Sequence, residues 1–477
     1  MARRASGGLM VDTRKTDGLA GLLLVATTVC VAAFEWGGGR VFAHASALTA
    51  VSALALLSLH VARSRRAFLL IGLVLSALAL ARLPDGLDAI RRALASSAFI
   101  IAFFSALTSL RSAAISARPI ADCGAFLSSQ PPGRRYLALT LGGALFGIIL
   151  LYGAITLLGS LATGARDDAT PEVRRIRIRR MMVAIQRGFI ATLPWSPLTF
   201  AIAISTSLVP GSSWAGALLP CLVSGLILAG AGWALDTAVK PKLTGPRPVF
   251  TPPEGRWIAK LAPLLALLAL LGTIITGLHL WTGVRVVGVV MVVVPVLSLL
   301  WMAQQDVAAR QTHVLRHVAR RAWDYGFVEL PAMRAEIVLL AMAGFIGTLG
   351  AALSAPLIAD AGIDLSGVSP YLLLLALFWV IPITGQIGMN PILSASLILP
   401  LLPAPASLGI SPAAIITAIT AGWALSGATS PFTASTMLVG NYGGVSAVHV
   451  GLRWNGIYAL ICALVLSGWI CAVAAYL

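Results

Sequence analysis

Two tetrapeptides carry most of the chemistry this chain offers: Ser196-Pro197-Leu198-Thr199 and Ser430-Pro431-Phe432-Thr433, about half a chain length apart. In each, two hydroxyls flank a proline within a long apolar run. Proline lacks an N–H and clashes with the preceding turn, so it breaks a helix there. A break exposes unpaired C=O groups on the incoming half and unpaired N–H groups on the outgoing half. The N–H end carries partial positive charge and suits a carboxylate or oxyanion, whereas the carbonyl end suits Na⁺. Ser196, Thr199, Thr429, Ser430 and Thr433 add hydroxyls at that depth and, with Asn390, form the candidate substrate-binding set. The competing reading is structural, because Ser and Thr in membrane helices often bond their own backbone.

Other chemistry is thinly represented. None of the seventeen Asp and Glu residues lies after Asp364, which disfavours a proton pump built on intramembrane acids in the second half. His44, His60, His279 and His449 are the candidate proton carriers by residue type, but a lone histidine near a helix end is more often structural. Arg187, seven residues before Pro194, is positioned either to meet an anionic substrate or to snorkel to the interface; snorkelling is the blander expectation. Trp195 reads as packing or as a pocket wall. The five cysteines lack metal or redox spacing. No His-Glu-x-x-His, Gly-x-Ser-x-Gly or paired membrane Asp appears, so no catalytic or metal residue is assigned.

The elements that must position these residues follow from composition. Of 477 residues, 58% are hydrophobic and 11% charged, with a mean hydropathy of +0.92. Lipid must solvate most of such a chain, and there the backbone pairs internally only as helices or closed barrels. Runs such as Leu261–Leu280 do not alternate as barrel strands would. The net charge of +17 sits in short loops between apolar runs, a topology signal and not a nucleic-acid surface.

Loop charge yields an all-α polytopic fold with the N-terminus cytoplasmic and the C-terminus outside. It has eleven transmembrane helices, two opposed re-entrant hairpins and two inverted repeats. Residues 1–110 form N-terminal scaffold helices. Residues 111–236 form a first repeat, with a hairpin at 136–164 and a broken helix at 181–208. The hairpin is required because a single crossing would place the basic loop Arg166–Arg187 outside. Residues 237–334 supply scaffold helices after Lys240, Lys242 and Arg247, then a basic surface helix. Residues 335–477 form the second repeat, beginning with a helix that exits to Asp360 and Asp364. Its hairpin spans 371–402 and its broken helix 412–440. Arg3 and Arg4 precede an uncleaved first helix.

Thr384-Gly385-Gln386-Ile387-Gly388-Met389-Asn390-Pro391, followed by an apolar leg, resembles the second hairpin of the ion transporter superfamily. That group includes divalent anion/sodium symporters, citrate and arsenite permeases, and large TRAP membrane subunits. Gly427-Ala428-Thr429-Ser430-Pro431-Phe432-Thr433 resembles the broken helix that follows it. The Ser-Asn-Thr triplet of the divalent anion symporters is reduced to Asn390 at the second tip and is missing near Tyr152–Thr156 at the first. The resemblance implies an elevator-type secondary transporter, homodimeric in the inner membrane, moving a small anionic solute with Na⁺ or H⁺. Gly153, Gly388, Asn390 and Ala428 are then the candidate cation-binding positions, with Na⁺ as coupling ion and no cofactor. A TRAP-type variant would add a solute-binding subunit. An intramembrane enzyme or a passive channel are the alternatives of a different class.

Overall fold

In the computed structural model, residues 7–164, 170–239, 256–362 and 367–476 are described, and every regular element among them is helical. The expectations resting on Arg3, Arg4, Arg166, Lys240, Lys242, Arg247 and Asp364 lie outside the described residues. In chain order the α-helices are α1 (Gly7–Glu35), α2 (Gly39–Ser58), α3 (Arg63–Arg82), α4 (Gly86–Ile115), α5 (Arg118–Ser128), α6 (Pro132–Leu150) and α7 (Gly153–Gly164). There follow α8 (Pro171–Ile190), α9 (Phe200–Leu208), α10 (Trp214–Ala238), α11 (Trp257–Thr282), α12 (Val286–Ala308), α13 (Val314–Asp324) and α14 (Leu330–Ala332). The last are α15 (Arg334–Asp360), α16 (Pro370–Gln386), α17 (Pro391–Ile398), α18 (Pro412–Thr429), α19 (Ala434–Gly443) and α20 (Gly456–Tyr476).

Among the described residues, ten helical segments are long and apolar enough to cross a membrane, so the chain is a multi-pass all-α membrane protein. The expected count was eleven. Two differences are losses and one is a gain. The expected crossings at 67–83 and 181–208 are not among the ten, the second being split into α8 and α9, whereas Gly133–Leu150, the first leg of a hairpin, is itself long enough.

The arginine-rich run expected as a loop is helical. Helix α8 starts at Pro171, with Thr170 accepting from the N–H of Val173 at 3.5 Å and Glu172 in the first turn. These are strong helix-start signals, and nothing before Ile190 interrupts the backbone bonding. Arg180 then makes a two-pronged ion pair with Asp236 of α10, at 2.8 and 2.7 Å.

The chain divides into two compact units. One comprises Met1–Ala113, Leu271–Ile363 and Ser396–Leu401. Within it α1 packs on α2 and α3 on α15. Ser97 donates to Ala341 O at 2.8 Å, and the Tyr325 hydroxyl bonds Thr108 and Ser105 O. Helix α12 is pinned at both ends. Arg285 pairs with the buried Glu35, and Asp306 holds His317 at 2.7 Å and Arg321 at 3.6 Å. Through Asp306 the basic helix α13, which has no buried residue, is fastened to α12. Asp306→Ala is therefore expected to speed hydrogen exchange across Val314–Asp324 by about tenfold, since charged hydrogen bonds contribute roughly 1.5–3 kcal/mol. Unchanged exchange there would mean that α13 is held by packing alone.

The other unit comprises Ala114–Leu270, Asp364–Ala395 and Leu402–Leu477. It holds two sets of elements in the same order: a hairpin, a broken helix and a long helix. In the first set α6 turns back into α7 at Leu151, where φ is +52°. Gly142 of α6 lies against Leu158 of α7, which shows the fold-back. In the second, α16 turns into α17 across 387–390, and Thr384 meets Ser394 hydroxyl to hydroxyl at 3.0 Å. Each first leg packs along the broken helix of its own set, α6 on α8 and α16 on α18. Glycines make this possible: Gly143, Gly147 and Gly188 bring α6 and α8 into backbone contact, and Gly422 does so for α16 and α18.

Candidate functional site

The two broken helices run antiparallel and pass each other at their breaks. Gly427 of α18 faces Ile190 and Leu193, while Tyr442, farther along in α19, faces Gly159 and stands beside Met182. The packing is reciprocal, with α9 against α18 and α19 against α8. This is the arrangement that an inverted repeat produces. Each hairpin tip reaches the break of its own set. Tyr152 stacks obliquely on Phe189 with centroids 5.3 Å apart, and Gly388 (φ +94°) lies against the Phe432 ring.

The first break, 191–199, closes on itself. Phe189 O accepts from the Thr192 N–H at 3.1 Å and its hydroxyl at 2.7 Å, Ile190 O from Leu193 N–H, and Ala191 O from the Trp195 indole at 3.0 Å. Trp195 thus serves as a lid over a helix end. On the outgoing side Thr199 caps α9, accepting from Ile202 N–H while donating to Leu193 O and Ser196 O. Ser196 is buried and accepts from Leu198 N–H at 3.4 Å. Ser196 and Thr199 are thus both bonded within their own break.

The second break, 430–433, is built differently. Ser430 Oγ donates to Gly385 O at 2.6 Å and accepts from Phe432 N–H, tying the break to the hairpin. Gln386 donates to Thr429 Oγ1 at 3.3 Å. Thr433 occupies the cap position of α19 but accepts no backbone N–H from that helix, only the Ser435 hydroxyl at 3.3 Å. Its hydroxyl donates to Ser430 O and meets Thr436 Oγ1 at 2.7 Å. The N–H groups that open α19 thus carry no side-chain cap; a helix N-terminus in general favours an anion. Thr429, Ser430, Thr433 and Gly388 are gathered here. Asn390 turns its Oδ1 to Ile392 N–H at 2.8 Å, starting α17. Gly153 is buried at the first tip.

The carbonyl end of α18 is already bonded. Gly427 O accepts from Ser435 Oγ at 2.6 Å and Gln186 Nε2 at 3.2 Å, and Ala428 O accepts from Asn455 Nδ2 at 3.2 Å. Asn455 also donates to Gln186 Oε1 at 2.9 Å and accepts from Arg187 Nε at 3.1 Å. Arg187 is 6% exposed and does not snorkel. Its Nη1 donates to the Tyr136 hydroxyl at 3.1 Å, its Nη2 to Trp454 O at 3.4 Å, and its guanidinium lies 4.2 Å over the Tyr458 ring. Among the described residues no carboxylate lies within ion-pair distance of it; Asp236 is paired with Arg180 instead.

Sequence reasoning singled out Arg187 but missed Gln186, Asn455, Tyr136 and Tyr458. The available signal was a Gln-Arg pair inside the apolar run 181–193, next to a second-half Asn with no obvious loop role. His44 and His279 each bond a backbone carbonyl close to a helix end, at 2.8 and 2.7 Å. Among the described residues no group of three His, Cys, Asp or Glu is placed to hold a metal ion.

No protein-family model matches the chain, and no curated protein sequence matches it. Solved structures do. The YdaH transporter of Alcanivorax borkumensis, whose topology is described as unusual, superposes with a TM-score of 0.56 at 16% identity, covering 87% of this chain and 98% of its own. MtrF of Neisseria gonorrhoeae, described with a class of antimetabolite efflux pumps, gives a TM-score of 0.50 at 14% identity, covering 89% and 97%. The chain has the polytopic helical fold of these two membrane proteins over nearly all of its length.

Proposed function

We propose that this protein is a secondary active transporter, of the ion transporter superfamily type, for a small carboxylate- or oxyanion-bearing solute. The observation that carries the reading is the uncapped start of α19 beside Ser430 and Thr433, at a break met by a hairpin tip. Open N–H groups at an interrupted membrane helix are where such transporters hold anionic groups. The two similar folds, one a transporter and one from a class of efflux pumps, support the transporter reading. We take the unit holding both breaks as the moving, substrate-bearing body of an elevator and the other as scaffold, in an inner-membrane homodimer driven by a Na⁺ or H⁺ gradient. The absence of a recognisable catalytic cluster from the sequence supports transport over intramembrane catalysis.

The test is electrogenic or counterflow transport in liposomes, in both directions, across a panel of carboxylates and oxyanions. A solute-dependent signal is expected from the wild type. Thr433→Val is expected to reduce it at least about tenfold, the loss of one charged hydrogen bond, without lowering thermal stability comparably. Thr199→Val, which removes a true helix cap, is expected to do the reverse: about 1 kcal/mol of stability lost, with transport per folded molecule retained. A silent panel with folded protein, or equal transport by Thr433→Val, would overturn the reading.

A further inference from the structure

The carbonyl end of an interrupted membrane helix is the usual seat of a coupling sodium ion. At the second break that seat is filled by the protein. The last carbonyls of α18 carry partial negative charge. Gly427 O and Ala428 O face the amides of Gln186 and Asn455, and Thr429 O abuts Gly451, where any side chain would collide with it. Behind the amides stands a full positive charge. Arg187 Nε polarises the Asn455 amide by donating to its Oδ1, which strengthens the Nδ2 bond to Ala428 O on the opposite side. Among the described residues the hydrogen-bond and ring partners of the guanidinium are neutral: a phenol oxygen, a peptide carbonyl, an amide and the face of Tyr458. A buried charge normally needs a counter-charge or a helix end to offset its desolvation, and here the helix end is the one on offer.

The oxygens at Ala428 and Asn390 are turned to protein donors, so this donor set does not fit a sodium cage. We propose that Arg187, acting through Asn455 and Gln186, is a tethered cation at the carbonyl end of α18, standing where a coupling Na⁺ would bind. The second break then presents an anion-binding N–H end and a permanently neutralised carbonyl end. A coupling cation, on the transport reading above, is held elsewhere. The proposal extends that reading, and its test uses no solute, so each can fail alone.

The experiment is thermal unfolding of the purified full chain, followed by intrinsic fluorescence, in NaCl against choline chloride at constant ionic strength. Arg187→Ala is expected to unfold at least about 5 °C lower and to recover part of that loss in Na⁺ or in millimolar guanidinium, to a degree the wild type does not show. Arg187→Lys keeps the charge and is expected to gain no such dependence. Asn455→Asp, nearly isosteric, withdraws the donor from Ala428 O and neutralises Arg187 in place. It is expected to gain the same Na⁺ dependence, and it serves if Arg187→Ala is not recovered folded. No cation-specific recovery in the neutralised variants, or a recovery equal to the wild type's, would overturn the proposal.

Discussion

Asn455→Leu is expected to cost about 2–4 kcal/mol of stability. Leucine keeps the branching and heavy-atom count of asparagine but is bulkier, so some overpacking adds to the loss of the bonds. The residue is fully buried and makes bonds in three directions, to Arg187, Gln186 and Ala428 O. Removing it leaves a guanidinium N–H and a helix-end carbonyl without partners in a place water does not reach. Leaving such groups unpaired costs far more than the net value of the bonds themselves. Unfolding in graded SDS against the wild type measures it. A change below about 0.5 kcal/mol, the range of an ordinary surface substitution, would show that water or local rearrangement replaces the amide.

Gly188→Ala is expected to be destabilising by about 1–3 kcal/mol, or to prevent recovery of folded protein. A Cβ at Gly188 would penetrate the carbonyl oxygen of Thr140, which belongs to the neighbouring backbone and cannot swing aside. Relief requires α6 to move away from α8, carrying the hairpin tip with it. Gly230→Ala in α10 is the control, because nothing lies within 4 Å of that position. There the added methyl is expected to be neutral, or to stabilise by about 0.5–1 kcal/mol through helix propensity. Equal behaviour of the two variants would mean that α6 and α8 do not meet as closely as described.

Much of the architecture was legible because its causes are local. Pro194, Pro197 and Pro431 forbid continuous helices, and Gly385, Gly388 and Pro391 mark a tip; the breaks and the second hairpin follow from chain chemistry alone. The arginine run of α8 was misread because loop charge was weighed without helix-start signals, although Thr170, Pro171 and Glu172 were in view. The site was legible only by half. That Ser196 and Ser430 sit at equivalent interruptions could be read, but not that Thr199 caps its helix whereas Thr433 does not. That difference depends on where one hydroxyl points. Arg187 was weighed as a charge near an interface because its partners are 51 and 268 positions away. Nothing in the residues around it foretells a phenol and an amide from the far ends of the unit.

The long reach between Arg187 and Asn455 also bears on how the protein is made. The chain leaves the ribosome from its N-terminus, so α8 enters the bilayer while Asn455 is still 268 residues from being synthesised. In that interval the guanidinium has Tyr136, already made, and lacks Trp454, Asn455 and the ring of Tyr458. An arginine in that condition is held near the lipid headgroups or by water until the last helix arrives. The first repeat is therefore assembled before it is electrostatically complete, and α20 closes it. A nascent chain stopped before 454 lacks every one of these partners of Arg187 except Tyr136.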